Sequence, residues 1–415
     1  MANIHKTKIQ YLDVLILLLL IGVTFVDTLN GPLLRNELPS ISKPYKFLIL
    51  ALMVLRIAAS LKINRIQFLI TISFFCFFLG YFSTFIVNGD FLLFIQNFIE
   101  SIKYLIWPTS FVYFSKLYAN NTNSSKLVFK IIIVSYLVII ANIFLGILGF
   151  GYQFYPRYNT GVKGFFYSGN EFSLLFILLT FYIAWRCYFI SQTRFYIFIL
   201  FSLFLAFNIG SKTTIMGVAG IFLIVLISNT KMSLLKIKPQ KLLIYGVISL
   251  VLPVVTFLFF KANRVYFDEF IFKRLEIYNY DFVTWFLSKR NLVAKEGIEE
   301  FYELPWFFKI FGQGEATFQS NFDIVEIDFL DLLFNHGYLG FICFLVLILV
   351  VFKALVRRKK DNSFTTGLVY LYILIMFFLS NLSGHIINTG IPGFFLGMIF
   401  AMCHDQTITK KPPSL

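Results

Sequence analysis

Long apolar runs alternate with short polar segments along nearly the whole chain. A helix needs about 20 predominantly apolar residues to cross the hydrocarbon core of a bilayer. Runs of about that length lie at 10–28, 45–61, 67–88, 92–115, 127–150, 170–186, 194–210, 213–229, 242–261, 333–353, 365–382 and 390–404. The pattern predicts an all-α polytopic membrane protein, with about 12 transmembrane helices in a single transmembrane domain over residues 1–415.

The composition excludes a soluble fold. Of the 415 residues, 58% are hydrophobic and only 14% are charged, whereas soluble domains are about 25% charged. Even a large soluble domain leaves part of its chain in water, where so much apolar surface could not be hidden. The four cysteines show neither a CxxC nor a zinc spacing. We therefore predict no disulfide framework, no metal site and no cofactor.

The distribution of Lys and Arg predicts the orientation. A net charge of +15 would suggest a nucleic-acid partner in a soluble protein, but in membrane proteins Lys and Arg collect in cytoplasmic loops. If the N-terminus lies inside, the loops near 62–65, 116–126, 186–194, 231–241 and 353–360 are cytoplasmic, and all are basic. The short outer loops near 88–90 and 383–389 have no Lys or Arg. We predict cytoplasmic termini and no nucleic-acid partner.

Two predicted outer segments are much longer than the other loops. The first covers residues 151–169 and the second covers residues 261–328. Long loops inside compact proteins are usually functional or disordered. The second segment mixes aromatic and charged residues and contains helical stretches such as RNLVAKEGIEEFYEL. We expect it to fold as a cap of amphipathic helices over the outer face.

Cations in the outer segments are candidates for anion binding. Arg157 and Lys163 belong to the first long loop, Lys212 follows Ser211 in a turn between two spans, and further Arg and Lys belong to the second loop. Arg offers phosphate a planar, bidentate set of donors. The alternative is a solvated charged surface, which is the more common role of a single cation. The convergence of three loops on one side favours phosphate binding.

Acidic residues and histidines near the tenth and last spans are candidates for acid–base chemistry. Glu326, Asp328 and Asp331 precede or begin the tenth span, and Asp328, Leu332 and His336 share one helix face. A carboxylate there could act as a general base or could simply complement the helix N-terminus. His385 lies between the last two spans, and its alternative is an interfacial histidine bonded to backbone.

Charges inside the predicted spans suggest two structural ion pairs. Glu100 and Lys103 are three residues apart, so they can pair on one helix face. Arg56 lies in the middle of the second span and could pair with Glu100. Because burying a charge in a membrane is costly, we expect such residues to be paired.

Four outward-facing segments form an ordered set. They are R-Y-N-T-G-V-K-G-F-F-Y-S-G-N-E (157–171), I-G-S-K-T-T (209–214), K-R-N with F-G-Q-G (289–291 and 311–314), and E-I-D-F-L-D-L-L-F-N-H-G-Y-L-G-F (326–341). In this order and on this side they resemble segments of the O-antigen polymerase and ligase superfamily, polytopic enzymes of bacterial surface-polysaccharide assembly. Lys212 stands where that family has Arg in a Ser-Arg turn, so a point charge replaces a planar fork there.

One departure distinguishes the two branches of that superfamily. Its ligases carry a His, a small polar residue and nine further residues before G-x-x-G. Counting back from Gly337 and Gly340 places this His at position 326, where the chain has Glu326. With the acidic residue there and Gly384-His385 near the C-terminal end, the chain is more similar to the polymerase branch, of Wzy type.

The resemblance implies a GT-C-like, metal-independent glycosyltransferase of the bacterial cytoplasmic membrane. It would polymerise undecaprenyl-diphosphate-linked oligosaccharide repeat units on the outer side, with release of lipid diphosphate, for O-antigen, lipopolysaccharide or capsule. Its partners would be these lipid-linked glycans, the membrane lipid, and a chain-length regulator and flippase of the same pathway. The diphosphate-binding residues would be Arg157, Lys163, Lys212, Arg274 and Arg290. The general base would be Glu326, with Asp328 and His385 as alternatives.

Three other functions fit parts of the pattern. An O-antigen ligase would share the fold and the cations and would differ at the missing His. A lipid-linked oligosaccharide flippase would also suit about 12 spans. Transporters, however, often have internal repeats and broken helices at the bilayer midplane, and no such symmetry is visible in the sequence. The third alternative is a non-enzymatic assembly scaffold.

Overall fold

The computed structural model of the chain describes residues 10–59, 64–121, 124–156, 160–229, 276, 281–314, 317, 325–358 and 363–404. Its helices up to the second long loop are α1 (Tyr11–Arg35), α2 (Ser42–Ala58), α3 (Arg65–Asn88), α4 (Phe91–Asn120), α5 (Ser124–Ile147), α6 (Gly169–Ile190), α7 (Gln192–Ile209) and α8 (Lys212–Asn229). The later helices are α9 (Phe282–Phe286), α10 (Arg290–Glu303), α11 (Trp306–Phe311), α12 (Asp328–Arg358), α13 (Ser363–Ile373), α14 (Ser380–Ser383) and α15 (Ile391–Phe400). The span expected at 242–261 lies outside the described residues.

The prediction of an all-α polytopic membrane protein is confirmed. Eight helical segments of the described chain are long and apolar enough to cross a membrane. They are α1, α3, α5, α6, α7, α8, α12 and the segment that runs from α13 through the π-helical turn Leu374–Leu379 into α14. Three other expected spans also form helices but are not among these eight. Helix α2 has 17 residues, and α15 with its following 3₁₀ turn is shorter still. Helix α4 carries the charged residues Glu100 and Lys103.

The outer surfaces of the helices are apolar. Exposed side chains include Leu18 on α1, Phe68 and Phe75 on α3, and Ile197 on α7. Soluble proteins expose such residues singly, whereas here they recur along whole helices. Lipid is a suitable environment for this apolar surface. It also suits helices, because all their backbone hydrogen bonds lie within the segment.

Helices α4, α6 and α15 form the centre of the bundle. Every residue of α15 is buried, and α15 packs against α4 and α6. Helices α1, α2 and α5 pack together on one side of this centre, and α3 and α12 pack together on another. Helices α7 and α8 pack against α6 and against each other, and α13 packs against α8.

The first long loop contains a β-hairpin, which the sequence pattern did not predict. Strands β1 (Tyr152–Tyr155) and β2 (Thr160–Gly164) pair antiparallel, with Tyr155 opposite Thr160. The Arg35 guanidinium at the end of α1 lies 3.6 Å above the Tyr152 ring. The side-chain oxygen of Asn142 on α5 accepts a hydrogen bond from the Phe165 N–H, at 2.9 Å. These contacts fasten the hairpin to the bundle directly before α6 begins.

The described part of the second long loop is helical and lies against α12. Ala294 and Phe301 of α10 are buried in a small apolar cluster with Val325 and Phe334. Helix α11 packs against the first half of α12. Of the segment 261–328, residues 276, 281–314, 317 and 325–328 are described, and the other residues lie outside the described part of the chain.

The expected ion pairs are partly right. Glu100 pairs with Lys103 on α4, as predicted. The Arg56–Glu100 pair is wrong, because Arg56 Nε lies 2.9 Å from the Asp13 carboxylate. Helix α1 packs along α2 and brings Asp13 to Arg56, a choice of partner that depends on the packing of the two helices.

Candidate functional site

Two neighbouring cavities lie at the end of the bundle where α1 ends and α2, α6, α8 and α12 begin. The large cavity, of about 500 Å³, is lined by residues that include Asp27, Asn30, Lys46, Glu171 and His385. The small cavity, of about 40 Å³, is lined by residues that include Asn170, Ser211, Lys212, Ser288, Arg290 and Leu382. Asn170 lines the small cavity and Glu171 the large one, so the two cavities flank the first turn of α6.

Lys212 is held in the small cavity by the end of α9. Asp281 caps the start of α9 by accepting a hydrogen bond from the Val283 N–H, at 3.0 Å. At the other end of this short helix the Trp285 carbonyl accepts a hydrogen bond from the Ser288 N–H, at 3.2 Å. The Lys212 ammonium donates to the Trp285 carbonyl at 2.7 Å and lies 4.2 Å from the centre of the Trp285 ring. The second long loop and the α7–α8 turn are therefore joined through this lysine.

Arg290 and Glu326 form an ion pair beside the small cavity. Arg290 is the first residue of α10, and its Nε donates to Glu326 Oε2 at 3.1 Å. Its Nη2 also donates to Oε2, and its Nη1 donates to the Leu382 carbonyl. The Arg290 side chain is largely buried, whereas that of Glu326 is 40% exposed. The pair links the long loop, the start of α12 and the loop before α15.

The Asp328 carboxylate binds the backbone of the loop before α15. The side chain is buried, and its Oδ2 accepts hydrogen bonds from the Ile386 and Ile387 N–H groups, each at 2.8 Å. A carboxylate engaged by two backbone donors shapes the loop that holds them. Asp328 thus positions the neighbouring residue His385. Asp331 accepts a hydrogen bond from the Val325 N–H at 3.2 Å and ties the segment before α12 to the first turn of that helix.

His385 lies between the two cavities. It lines the large cavity, and the preceding Gly384 approaches the Glu326 backbone so closely that a Cβ atom there would lie 2.5 Å from the Glu326 carbonyl oxygen. Leu382, a few residues earlier, lines the small cavity. The segment from Leu382 in α14 to Gly390 before α15 therefore runs from one cavity to the other, and His385 lies within it.

One predicted diphosphate-binding residue, Lys163, has its hydrogen-bond partner within the first long loop. Lys163 in β2 is buried, and its ammonium donates to the Tyr167 carbonyl of its own loop. Burial, and secondarily the nearby Arg35 charge, lower the pKa of Lys163 to about 8. Lys163 lines neither cavity. Arg157 and Arg274 lie outside the described residues.

Strained backbone surrounds the site. Among the described residues, the non-glycine residues with positive φ are Glu37, Ser288, Lys289, Glu326 and His385. Such conformations cost of order 1–3 kcal/mol each and persist where the surrounding structure determines them, often at functional sites. Four of these five residues lie in or directly beside the site formed by Arg290, Glu326 and His385.

A buried ion network in the large cavity was missed by the sequence analysis. Lys46 of α2 lies 3.2 Å from the Asp27 carboxylate of α1 and 3.5 Å from the Glu171 carboxylate of α6. The Gly390 N–H also donates to Glu171, at 3.1 Å. The network ties three helices and the loop before α15 together at the same end of the bundle.

A sequence signal for this network was present. Asp27, Lys46 and Glu171 each lie inside a predicted span, close to its predicted outer end. Charged residues inside spans are functional candidates because their burial is costly. Opposite charges at the same depth on three spans would have indicated a shared site, without indicating which helices are neighbours.

Comparison with known proteins adds no relative. No protein-family model matches the chain, and no curated protein matches it significantly.

Proposed function

We propose that this protein is a metal-independent glycosyltransferase that polymerises lipid-linked oligosaccharide repeat units at a bacterial cytoplasmic membrane. In this proposal the chain has a GT-C-like fold of about 12 spans, with both termini in the cytoplasm and the two cavities on the outer side. The donor is a growing glycan on undecaprenyl diphosphate, and the acceptor is one lipid-linked repeat unit.

The observation that carries the proposal is the meeting of the four segments that resemble the polymerase branch. Asn170 from the first, Lys212 from the second and Arg290 from the third all line the small cavity. Glu326, from the fourth, is paired with Arg290. The segments are far apart in sequence: Glu326 lies 36 positions after Arg290, and Trp285 in the long loop lies 73 positions after Lys212. A shared reaction site gives a reason for their convergence.

The charges of the small cavity suit a leaving diphosphate. Lys212 and Arg290 are both held by backbone carbonyls, so their orientation is set before substrate arrives. Preoriented charges aimed at developing negative charge lower the barrier most, because they need no reorganisation during the reaction. The Arg290 guanidinium adds planar donors that match phosphate oxygens.

The reaction is a single displacement at the anomeric carbon. The acceptor hydroxyl oxygen bonds to the anomeric carbon, and the bond from that carbon to the diphosphate oxygen breaks. The electron pair of that bond leaves with the diphosphate, and the hydroxyl proton passes to a base. Asp328 is engaged by two backbone N–H groups, which leaves Glu326 and His385 as the groups for this step.

Chain growth by the purified protein tests the proposal. The protein in detergent or liposomes is given a synthetic undecaprenyl-diphosphate repeat unit, without ATP or added metal, and products are separated by length. We expect polymers of many repeat units. Arg290→Ala should reduce turnover about 10²–10³-fold, as removal of one charge-stabilising donor does in other enzymes, and Glu326→Gln should remain folded but lose turnover.

A matched control and the opposing outcomes make this test decisive. Arg65→Ala removes an exposed arginine at the start of α3 and should leave chain growth unchanged. Movement of the lipid-linked unit across the membrane without a new glycosidic bond would replace the proposal by a flippase, and single transfers to another acceptor would replace it by a ligase. If a competent substrate yields no bond and Arg290→Ala changes nothing in cells, the proposal is wrong.

A further inference from the structure

The large cavity has the size and the enclosed polar groups of a ligand site. Its volume of about 500 Å³ lies within the range of about 300–1,000 Å³ typical of small-molecule sites. Its walls come from α1, α2, α4, α6 and the loop before α15. It lies beside the small cavity, yet Lys212 and Arg290 do not line it. The diphosphate site proposed above therefore leaves the large cavity unassigned.

Two buried polar side chains on its wall have unused hydrogen-bonding groups. Asn30 is only 5% exposed, and its Oδ1 accepts from the Ser40 hydroxyl and from the Ile41 and Ser42 N–H groups. Within the described part of the chain its Nδ2 amide makes no hydrogen bond. Asp27 is 6% exposed, and its Oδ1 accepts from Ser42 and pairs with Lys46, while its Oδ2 has no hydrogen bond to a described residue.

These groups are one donor and one acceptor in a buried place. Both residues line the cavity, where a ligand can reach these groups. A ligand hydroxyl both donates and accepts. A polyhydroxylated ligand could therefore satisfy the Asn30 amide and the Asp27 carboxylate oxygen together.

The charge balance of the cavity disfavours a diphosphate. The charged side chains on its walls are the cations Lys43, Lys46 and Lys103 and the anions Asp27, Glu100 and Glu171. Lys46 and Lys103 are already paired with these carboxylates. A multiply charged anion would meet three carboxylates here, whereas an uncharged ligand meets a neutral wall. Tyr167, which is 54% exposed, and Phe47 add aromatic faces of the kind on which sugar rings pack.

We propose that the large cavity binds the uncharged acceptor saccharide, with Asn30 and Asp27 as its hydrogen-bonding residues and with the reactive hydroxyl next to His385. This inference rests on the proposed function and adds to it that the two cavities bind different substrates. The small cavity holds the donor diphosphate, the large cavity holds the acceptor sugar, and His385 lies in the loop between them, next to the attacking hydroxyl.

Ligand protection of single cysteines tests this division. In the full-length protein with its four native cysteines replaced, Lys43→Cys places a thiol at the large cavity and Ser288→Cys places one at the small cavity. Two probes are added separately: the lipid-free, phosphate-free repeat-unit oligosaccharide prepared by hydrolysis of the surface polymer, and undecaprenyl diphosphate. The rate of maleimide labelling is measured for each thiol with each probe.

We expect the oligosaccharide to slow labelling at Lys43→Cys about tenfold at a concentration ten times its Kd, and to leave Ser288→Cys unaffected. Undecaprenyl diphosphate should do the reverse. Equal protection of Lys43→Cys by undecaprenyl diphosphate overturns the inference. So does chain growth by the same preparation without any protection by the oligosaccharide.

Asn30→Asp provides a second measurement, because it keeps the oxygen that accepts from Ser40 and Ile41 and replaces the amide donor by a carboxylate oxygen that can only accept. The new carboxylate cannot donate and adds a negative charge near Asp27, so the oligosaccharide Kd should rise at least about three- to tenfold, the effect of losing one hydrogen bond. The exposed Asn36 at the end of the same helix gives the control Asn36→Ala, with unchanged Kd. If chain growth fails, oligosaccharide protection still supports the binding site, and its absence overturns both proposals.

Discussion

At the scale of single residues, ion pairs in this protein differ mainly in their exposure. Asp13 is almost fully buried and accepts from Arg56 at 2.9 Å and from the Tyr113 hydroxyl at 3.2 Å. Glu326, the partner of Arg290, has a side chain that is 40% exposed. Removal of one partner from a buried pair leaves an uncompensated charge in a medium that solvates it poorly. Water reaches Glu326 and compensates most of the same loss there.

Substitution of the two arginines should therefore have unequal effects on stability. Arg56→Met should lower the free energy of unfolding by about 3–5 kcal/mol, whereas Arg290→Met should lower it by about 1 kcal/mol or less. Unfolding of the detergent-solubilised protein by denaturant, followed by tryptophan fluorescence, measures both.

The double variant Arg56→Met with Asp13→Asn is the control for this comparison, because it removes the orphaned charge together with its partner. Most of the lost stability should return. An Arg56→Met variant that is no less stable than Arg290→Met would show that water reaches Asp13 and that the ion pair is not buried.

At the scale of elements, the break in α12 joins two of the segments that resemble the polymerase family. Gly337 has φ 63° and ψ −176° inside α12, a region open essentially to glycine alone. A Cβ atom on Gly337 would lie 2.5 Å from the Ile310 carbonyl oxygen and from the Gly312 nitrogen. The Gly314 N–H donates to the Asn335 carbonyl at 2.9 Å. The F-G-Q-G segment thus packs backbone to backbone against the N-H-G segment.

Gly337→Ala should disrupt this junction. The alanine meets both an unfavourable φ and a steric clash with backbone that cannot turn away. We expect a loss of more than about 2 kcal/mol in stability, together with faster proteolysis of the α10–α11 region in limited digestion.

Gly89→Ala separates the two causes. Gly89 also has positive φ, 68°, but a Cβ atom there has open space around it. This variant should cost about 1 kcal/mol, from backbone strain alone. Equal losses for the two glycines would mean that the close contact between α11 and α12 does not contribute.

At the scale of the whole molecule, the residues of both cavities gather at one end of the bundle. The ends of α1, α2, α6, α8 and α12 meet there through the contacts of Lys46, Lys212, Arg290 and Asp328. The distribution of Lys and Arg predicts that this end faces outward, because the loops at the other end carry most of the positive charge.

Thiol labelling in intact cells measures this orientation. In the cysteine-free protein, Tyr167→Cys precedes α6 and Thr193→Cys follows it, so the two thiols lie at opposite ends of one span. A membrane-impermeant maleimide should label Tyr167→Cys in intact cells and Thr193→Cys only after permeabilisation. The reverse pattern would place both cavities in the cytoplasm, where the proposed lipid-linked donor is not presented.

The sequence by itself determined the class of the fold and most helix positions. Apolar runs of spanning length can satisfy their backbone hydrogen bonds in lipid only as helices, so length and hydrophobicity were enough. The Glu100–Lys103 pair also followed from spacing within one helix. Arg290 and Glu326 were both selected as candidates because charged residues in long loops stand out against an apolar chain.

Only the tertiary structure decided which of these residues are neighbours. Arg56 pairs with Asp13 rather than with Glu100 because α1 packs along α2. Lys163 donates to a carbonyl of its own loop because it belongs to a β-hairpin. The Lys46 network and the separation of the large cavity from the small one arise from contacts between helices that are distant in the chain. Hydrophobic periodicity records which residues face lipid or protein, but it holds no information about which helix lies opposite, and that arrangement sets the chemistry of the site.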